Sequence, residues 1–167
     1  LPFHARRGEP ERKGPPPFPN PDPRFTIEGF RQAVRDVRVL IRWMRERGAP
    51  AVGVIGMSLG GYTTSLLATL EDGIDFAAPI IPLACIPDFL RTHNRLGPGA
   101  QGQELHDALQ QAYRVISPLH RPARLPGDRL YVIGARMDRI TPLRHAERLA
   151  DHFNCELAVF PGSHLFH

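Results

Sequence analysis

Residues 51–62 read Ala51-Val52-Gly53-Val54-Ile55-Gly56-Met57-Ser58-Leu59-Gly60-Gly61-Tyr62, and this stretch decides the fold. An apolar run ends at Ile55, a glycine-rich turn follows, and a helical stretch covers residues 62–70. So tight a turn from strand to helix forces Ser58 into a strained conformation. Gly56 and Gly60, two residues before and two after the serine, remove Cβ atoms that would otherwise collide. Ser58 then stands clear of the sheet, at a helix N-terminus whose free N–H groups can meet an oxyanion. A plainer reading is a glycine-rich turn with a capping serine, and it must account for the rest of the chain as well.

Outward from this unit, residues 27–47 form an amphipathic helix. Ile27, Phe30, Val34, Val37, Ile41 and Met44 recur at steps of three and four, which places them on one core-facing stripe. Thr26 is the expected N-cap, and Gly48 followed by Pro50 ends the helix. Downstream lie three more apolar runs: residues 76–82, 130–134 and 156–160, the last after a helix over 142–153. Near-continuous apolar runs separated by helices indicate an α/β fold, a parallel sheet flanked by helices on both faces. Residues 83–124 break the rhythm, being polar, glycine-rich at 97–102 and helical over 103–115. Inserted there, they sit above the C-terminal edge of the sheet, where α/β ligand sites lie, as a small cap. Residues 26–167 are therefore read as the core, with the cap at about 83–124. Residues 1–25 are read as a proline-rich connector, since Pro15-Pro16-Pro17, Pro19, Pro21 and Pro23 favour an extended path. Within it, residues 13–19 match a basic-x-x-Pro-x-x-Pro ligand pattern, weighed against a plain surface loop.

A length of 167 residues is about one domain, and 42% hydrophobic content is enough for a core. The net charge of +4 is almost wholly arginine, because Lys13 is the only lysine. The arginines are interleaved with Asp and Glu along helices and loops, which reads as a solvated surface and not a nucleic-acid footprint. Cys85 and Cys155 fit no metal spacing and read as two buried thiols, so neither a metal nor a cofactor is expected. No apolar run approaches the ~20 residues of a membrane span.

A serine hydroxyl needs a base, and the base needs an orienting acid. Asp138 falls in the loop after the run 130–134, with Thr141-Pro142 behind it as the expected N-cap and first residue of the next helix. Asp88 is the reserve acid. His164, in Pro161-Gly162-Ser163-His164 after the last apolar run, can lean over the sheet edge towards Ser58 and is the expected base. His167 is its rival. His145 and His152 belong to the preceding helix, where a solvated or capping role is ordinary. His93, His106 and His120 belong to the insertion and carry no motif.

In order and on these elements, Gly56-Met57-Ser58-Leu59-Gly60-Gly61-Tyr62, Asp138 with Thr141-Pro142, and Gly162-Ser163-His164 resemble the α/β-hydrolase superfamily and its nucleophile elbow. The match covers about residues 26–167. The opening residues 1–7 are similar to the end of the strand before the elbow in one lipase-like group. The resemblance implies Ser58 as nucleophile, His164 as base, Asp138 as acid and the Leu59 backbone N–H as one oxyanion donor. The family's second donor comes from an earlier loop, and nothing upstream of the residue 27 helix supplies it. Loss of one such donor typically costs about 10²–10³ in turnover. With a start at Leu1 and a stop just after the histidine motif, the chain reads as a fragment whose parent is the active hydrolase. The fragment alone is expected to be inactive or marginally stable.

The expected activity is serine hydrolysis of a small-molecule carboxylic ester or related acyl substrate through an acyl-Ser58 intermediate. A peptidase, a thioesterase or a cofactor-free haloperoxidase would keep the same three residues. Outside catalysis, the alternatives are an α/β-hydrolase relative that binds a ligand or partner, and an interaction module built on the proline-rich arm. Substitution of Ser58 separates the first class from the others.

Overall fold

The computed structural model describes Pro2, Lys13, residues 18–20 and residues 22–165. Four strands, β1 (Gly53–Met57), β2 (Phe76–Ile80), β3 (Tyr131–Ala135) and β4 (Glu156–Phe160), form one sheet in the order β1-β2-β3-β4. Every neighbouring pair is parallel: Gly53 faces Phe76, Ile80 faces Ile133, and Tyr131 faces Glu156. A helix, α1 (Pro23–Glu46), precedes β1, and α2 (Leu59–Ala68) joins β1 to β2. The insertion carries α3 (Ile86–Thr92), α4 (Gly99–Tyr113) and short 3₁₀ turns, and α5 (Arg144–Phe153) joins β3 to β4.

The parallel α/β sheet is as expected, and the apolar run 156–160 is a strand end to end. Other boundaries move by a few residues. The elbow strand extends through Gly56 and Met57, α2 begins at once on Leu59, and α4 starts at Gly99. The first helix begins at Pro23, where proline suits the first turn because its missing N–H is an orphan position anyway. Asp22, not Thr26, is its N-cap and accepts from the Arg24 N–H. Thr26 is instead fully buried, its hydroxyl bridging both ways to the Asn20 backbone. Within the segment expected as a connector, Phe18 is buried against Phe30 and near Tyr62 and belongs to the core, while Pro19 beside it is exposed. Most of residues 13–19, and of the opening residues 1–7, lie outside the described residues.

One apolar cluster lies under α2 and α5, joining Val52, Ala77, Leu130 and Val132 to Ala68, Ala146, Leu149 and Phe153. A second joins α1, α2 and the insertion through Phe30, Val34, Tyr62, Leu66, Leu109 and Tyr113. The expected stripe of α1 divides between them, Phe30 and Val34 in one and Ile41 in the other. Tyr62 donates its hydroxyl to the Ile116 carbonyl at 3.0 Å, which ties α2 to the insertion. Gly56 and Gly134 both face helices: a Cβ on Gly56 would press on Thr64 of α2, and one on Gly134 would press on Leu143 and Ala146. Sequential strand order with crossovers of one hand brings successive helices to the same side of a sheet. The expected helical cover is thus found on that side. The side chains pointing the other way include Ile55, 63% exposed, and Met57, 53% exposed, with Phe76 and Tyr131 beside them.

Candidate active site

Ser58 follows the last residue of β1 and directly precedes α2. Its φ of 55° and ψ of −114° lie outside the regions ordinary side chains favour, a strain of order 1–3 kcal/mol. Neighbours hold it there. The Ser58 N–H donates to the Ile80 carbonyl of β2 at 2.9 Å, and the Ser58 carbonyl accepts from the Tyr62 N–H at 3.0 Å. The side chain makes no capping hydrogen bond, which removes the capping-serine reading of this turn. Leu59 is the first residue of α2, so its N–H is one of the donors a helix leaves unpaired at its start.

The two glycines expected to relieve the turn are not equivalent. A Cβ on Gly56 would collide with the Gly60 carbonyl and lie 2.5 Å from Thr64 Oγ1, whereas one on Gly60 would meet nothing within 4 Å. The second close approach is at Gly61, where a Cβ would lie 3.0 Å from the Ile80 carbonyl and from Pro82. In the first turn of α2 position 60 points away from the sheet and position 61 points into it, so the crowding falls one residue later than the motif suggests.

Asp138 and His164 come together across the neighbouring loops. The Arg136 N–H donates to the Phe160 carbonyl at 2.9 Å and the Met137 N–H to the Gly162 carbonyl at 3.0 Å. These bonds continue the β3–β4 ladder past the strand ends and bring the two loops side by side. His164 Nδ1 then lies 2.7 Å from Asp138 Oδ2. The Asp138 side chain is buried, and its other oxygen accepts from the Ile140 and Thr141 N–H groups, both at 2.8 Å. A carboxylate offers about four acceptor sites, and these donors occupy them and fix its orientation. With Nδ1–H directed at that carboxylate, the lone pair of a neutral His164 is on Nε2. No hydrogen bond joins the Ser58 hydroxyl to His164 among the described residues.

Thr141, expected as a helix cap, does something else. The N-cap position of α5 is Leu143. The buried Thr141 hydroxyl lies 2.9 Å from Asp138 Oδ2, 3.0 Å from the Ile81 carbonyl and 3.1 Å from His164 Nδ1. It thereby joins the acid loop to the end of β2. Ile81 itself sits at φ 39°, a left-handed conformation costly for a β-branched residue, while its N–H donates to the Ile133 carbonyl at 2.6 Å. Strained residues thus end both β1 and β2, and each is tied to the next strand along. The spacing Asp-x-x-Thr was the only sequence trace of this link, and it also fits an ordinary helix start.

The reserve acid is committed elsewhere. Asp88 lies in the first turn of α3, 2.5 Å from Arg148, 2.7 Å from His106 Nε2 and 3.3 Å from Arg91. Burial alone would raise its carboxyl, but hydrogen bonds from Arg148, His106 and Cys85 outweigh that and hold it below the ordinary carboxylate range. Cys85, buried beside it, has its thiol pushed up to about 12, chiefly by desolvation. Cys155 is only half-buried. His145, expected to be solvated or capping, is instead fully buried and accepts from the Ala84 N–H at 3.2 Å through Nδ1. Desolvation, assisted by Arg144 and Arg148, lowers it to about 4. His93 reaches the Ile140 carbonyl, His152 the Arg121 carbonyl, and His120 the Ser117 hydroxyl. His167 lies outside the described residues. Among the described residues no group of three or more His, Cys, Asp or Glu could hold a metal ion, and no helix is long and apolar enough to cross a membrane.

An acylaminoacyl peptidase from Pyrococcus horikoshii matches with a TM-score of 0.60 at 19% identity, covering 81% of this chain and 23% of its own. A puromycin-hydrolyzing peptidase from Mycobacterium tuberculosis gives 0.59 at 20% identity, over 80% of this chain and 22% of that one. The chain has part of the α/β-hydrolase fold. An esterase from Pyrococcus furiosus repeats the likeness, with a TM-score of 0.56 at 17% identity over 78% of this chain and 53% of its own. At such identities the likeness is one of α/β-hydrolase fold. In sequence, uncharacterized proteins from two Mycobacterium tuberculosis strains are each 32% identical over 98% of this chain. The chain spans 40% of the length of those relatives. No family model matches it.

Proposed function

We propose that the chain carries the catalytic residues of a serine hydrolase that cleaves an ester or related acyl substrate. The observation that carries this reading is the 2.7 Å contact between His164 Nδ1 and the buried Asp138 carboxylate, on the loops after β3 and β4, at the sheet edge where Ser58 is held at φ 55°. Asp138 fixes the His164 tautomer, so Nε2 is free to take the Ser58 proton as Oγ attacks the acyl carbon. The oxyanion that forms accepts from the Leu59 N–H, strengthened by the start of α2. The tetrahedral intermediate collapses, His164 returns the proton to the leaving alcohol, and an acyl-Ser58 ester remains. Water, deprotonated by His164, then releases the acid and restores the serine.

An amide substrate would follow the same steps with an amine as leaving group. Peptidases and esterases both occur among proteins of this fold, so a peptide substrate is the second reading. The test is covalent labelling of the full-length protein with a fluorophosphonate, mapped by peptide mass spectrometry. Labelling at Ser58 that is lost in His164→Ala is expected, and turnover of aryl esters against peptide anilides then separates the two substrates. A folded protein that takes no label at Ser58 would refute the hydrolase reading in favour of a ligand-binding relative.

A further inference from the structure

We propose that His93, at the end of α3 in the insertion, is a positioning residue for the Asp138–His164 couple, acting through the single peptide unit between Ile140 and Thr141. The inference rests on the reading of Ser58, Asp138 and His164 as a triad. His93 Nε2 lies 2.8 Å from the Ile140 carbonyl oxygen. A carbonyl only accepts, so Nε2 carries the hydrogen. On the far side of the same peptide unit, the Thr141 N–H donates to Asp138 Oδ1 at 2.8 Å. The other oxygen of that carboxylate faces His164 Nδ1 at 2.7 Å. The hydrogen bonds therefore run unbroken from an insertion side chain, through one amide and one carboxylate, to the base. In such a chain each bond polarises the next, and a carbonyl that is pulled on makes its N–H a stronger donor.

Two further features hold His93 in this role. Its ring packs on Phe89, one turn earlier in α3, with centroids 4.5 Å apart and a tilt of 54°. The helix beneath it is fastened to α5, with Arg144 reaching the Thr92 hydroxyl and Arg148 reaching Asp88. The segment bearing the acid thus has the insertion on one side and the base on the other. Any displacement of α3 on substrate entry would be felt at Asp138 Oδ1 with one peptide between them.

The experiment compares His93→Phe and His93→Gln in the full-length protein. The first keeps a ring on Phe89 and removes the donor, while the second keeps an N–H donor of similar reach. Fluorophosphonate labelling of Ser58 is resolved into probe affinity and maximal rate, and the far-downfield proton on His164 Nδ1 is followed by NMR. In His93→Phe the maximal rate is expected to fall about fivefold to tenfold, the weight of one hydrogen bond, with probe affinity unchanged and the proton resonance shifted. In His93→Gln both are expected to stay close to wild type. A His93→Phe protein with wild-type rate and an unmoved resonance would overturn the proposal, as would equal losses in the two variants. Wild-type protein that takes no label at Ser58 refutes the triad itself, a failure separate from an active triad indifferent to position 93.

Discussion

Replacing Thr141 by valine removes one hydroxyl and almost nothing else, since the two side chains have the same shape. That hydroxyl has a single hydrogen and lies within 3.0 Å of both Asp138 Oδ2 and the Ile81 carbonyl. Whichever it serves, Thr141→Val leaves a buried acceptor short of a donor. A hydrogen bond to a charged group is worth about 1.5–3 kcal/mol, so a loss near 2 kcal/mol is the working figure. For a domain of this length each kcal/mol moves the melting temperature by about 2–4 °C, so a fall of about 4–8 °C is expected by calorimetry. The hydroxyl also lies 3.1 Å from His164 Nδ1, and without it the imidazole is less firmly aimed. Loosening worth about 1.4 kcal/mol in the transition state slows Ser58 labelling about tenfold. Thr141→Ser restores the hydroxyl and should recover most of both effects. A valine variant matching wild type in melting temperature and labelling rate would refute the reasoning, and so would a serine variant as impaired as valine.

Gly56→Ala should destabilise the protein enough to lose soluble expression or Ser58 labelling, because its Cβ is driven into the Gly60 carbonyl, whereas Gly60→Ala should fold with a near wild-type melting temperature. Equal behaviour of the two alanine variants would contradict the asymmetry of the turn. His145 links stability to pH. Its folded pKa of about 4 lies below the ordinary 6.5, so the unfolded chain takes up a proton that the native chain refuses. The contribution is therefore fully present above pH 6.5 and is lost as pH falls towards 4, up to about 3 kcal/mol over that window. His145→Gln, which can still accept from the Ala84 N–H, should flatten the melting-temperature profile between those pH values. A profile as steep as that of wild type would assign the dependence to other groups.

The alternation of apolar runs and helices made the sheet legible, because a strand buried among neighbours has little use for polar residues. Ser58, Asp138 and His164 stood out as candidates for a different reason. Each stands just past the end of an apolar run, and the structure places them after β1, β3 and β4. What the sequence did not reveal was which partner each polar residue would find. Thr141 before a proline looks like a cap, and only the approach of the β2 end turns its hydroxyl towards Asp138 and Ile81. Asp88 looks like a loop acid until α5 brings Arg148 against it. His145, on a helix rich in arginine, looks solvated, yet the helix turns that position inward beneath Ala84. Gly60 matches the motif letter for letter while Gly61 meets the steric crowding. In each case the deciding contact is long-range in sequence, between elements whose rotation about their own axes periodicity does not specify.

The strand order β1-β2-β3-β4 has a consequence for synthesis. Each strand finds its place beside the one made immediately before it, so the sheet can be laid down as the ribosome delivers it. Ser58 arrives with the first strand and His164 only after the fourth. At about 5–20 residues per second, even Asp138 waits seconds for its imidazole. Under the proposed triad, Ser58 has no base throughout that interval. On the proposed reading, Ser58 therefore stays inert during synthesis until the loop after β4 brings His164 to Asp138.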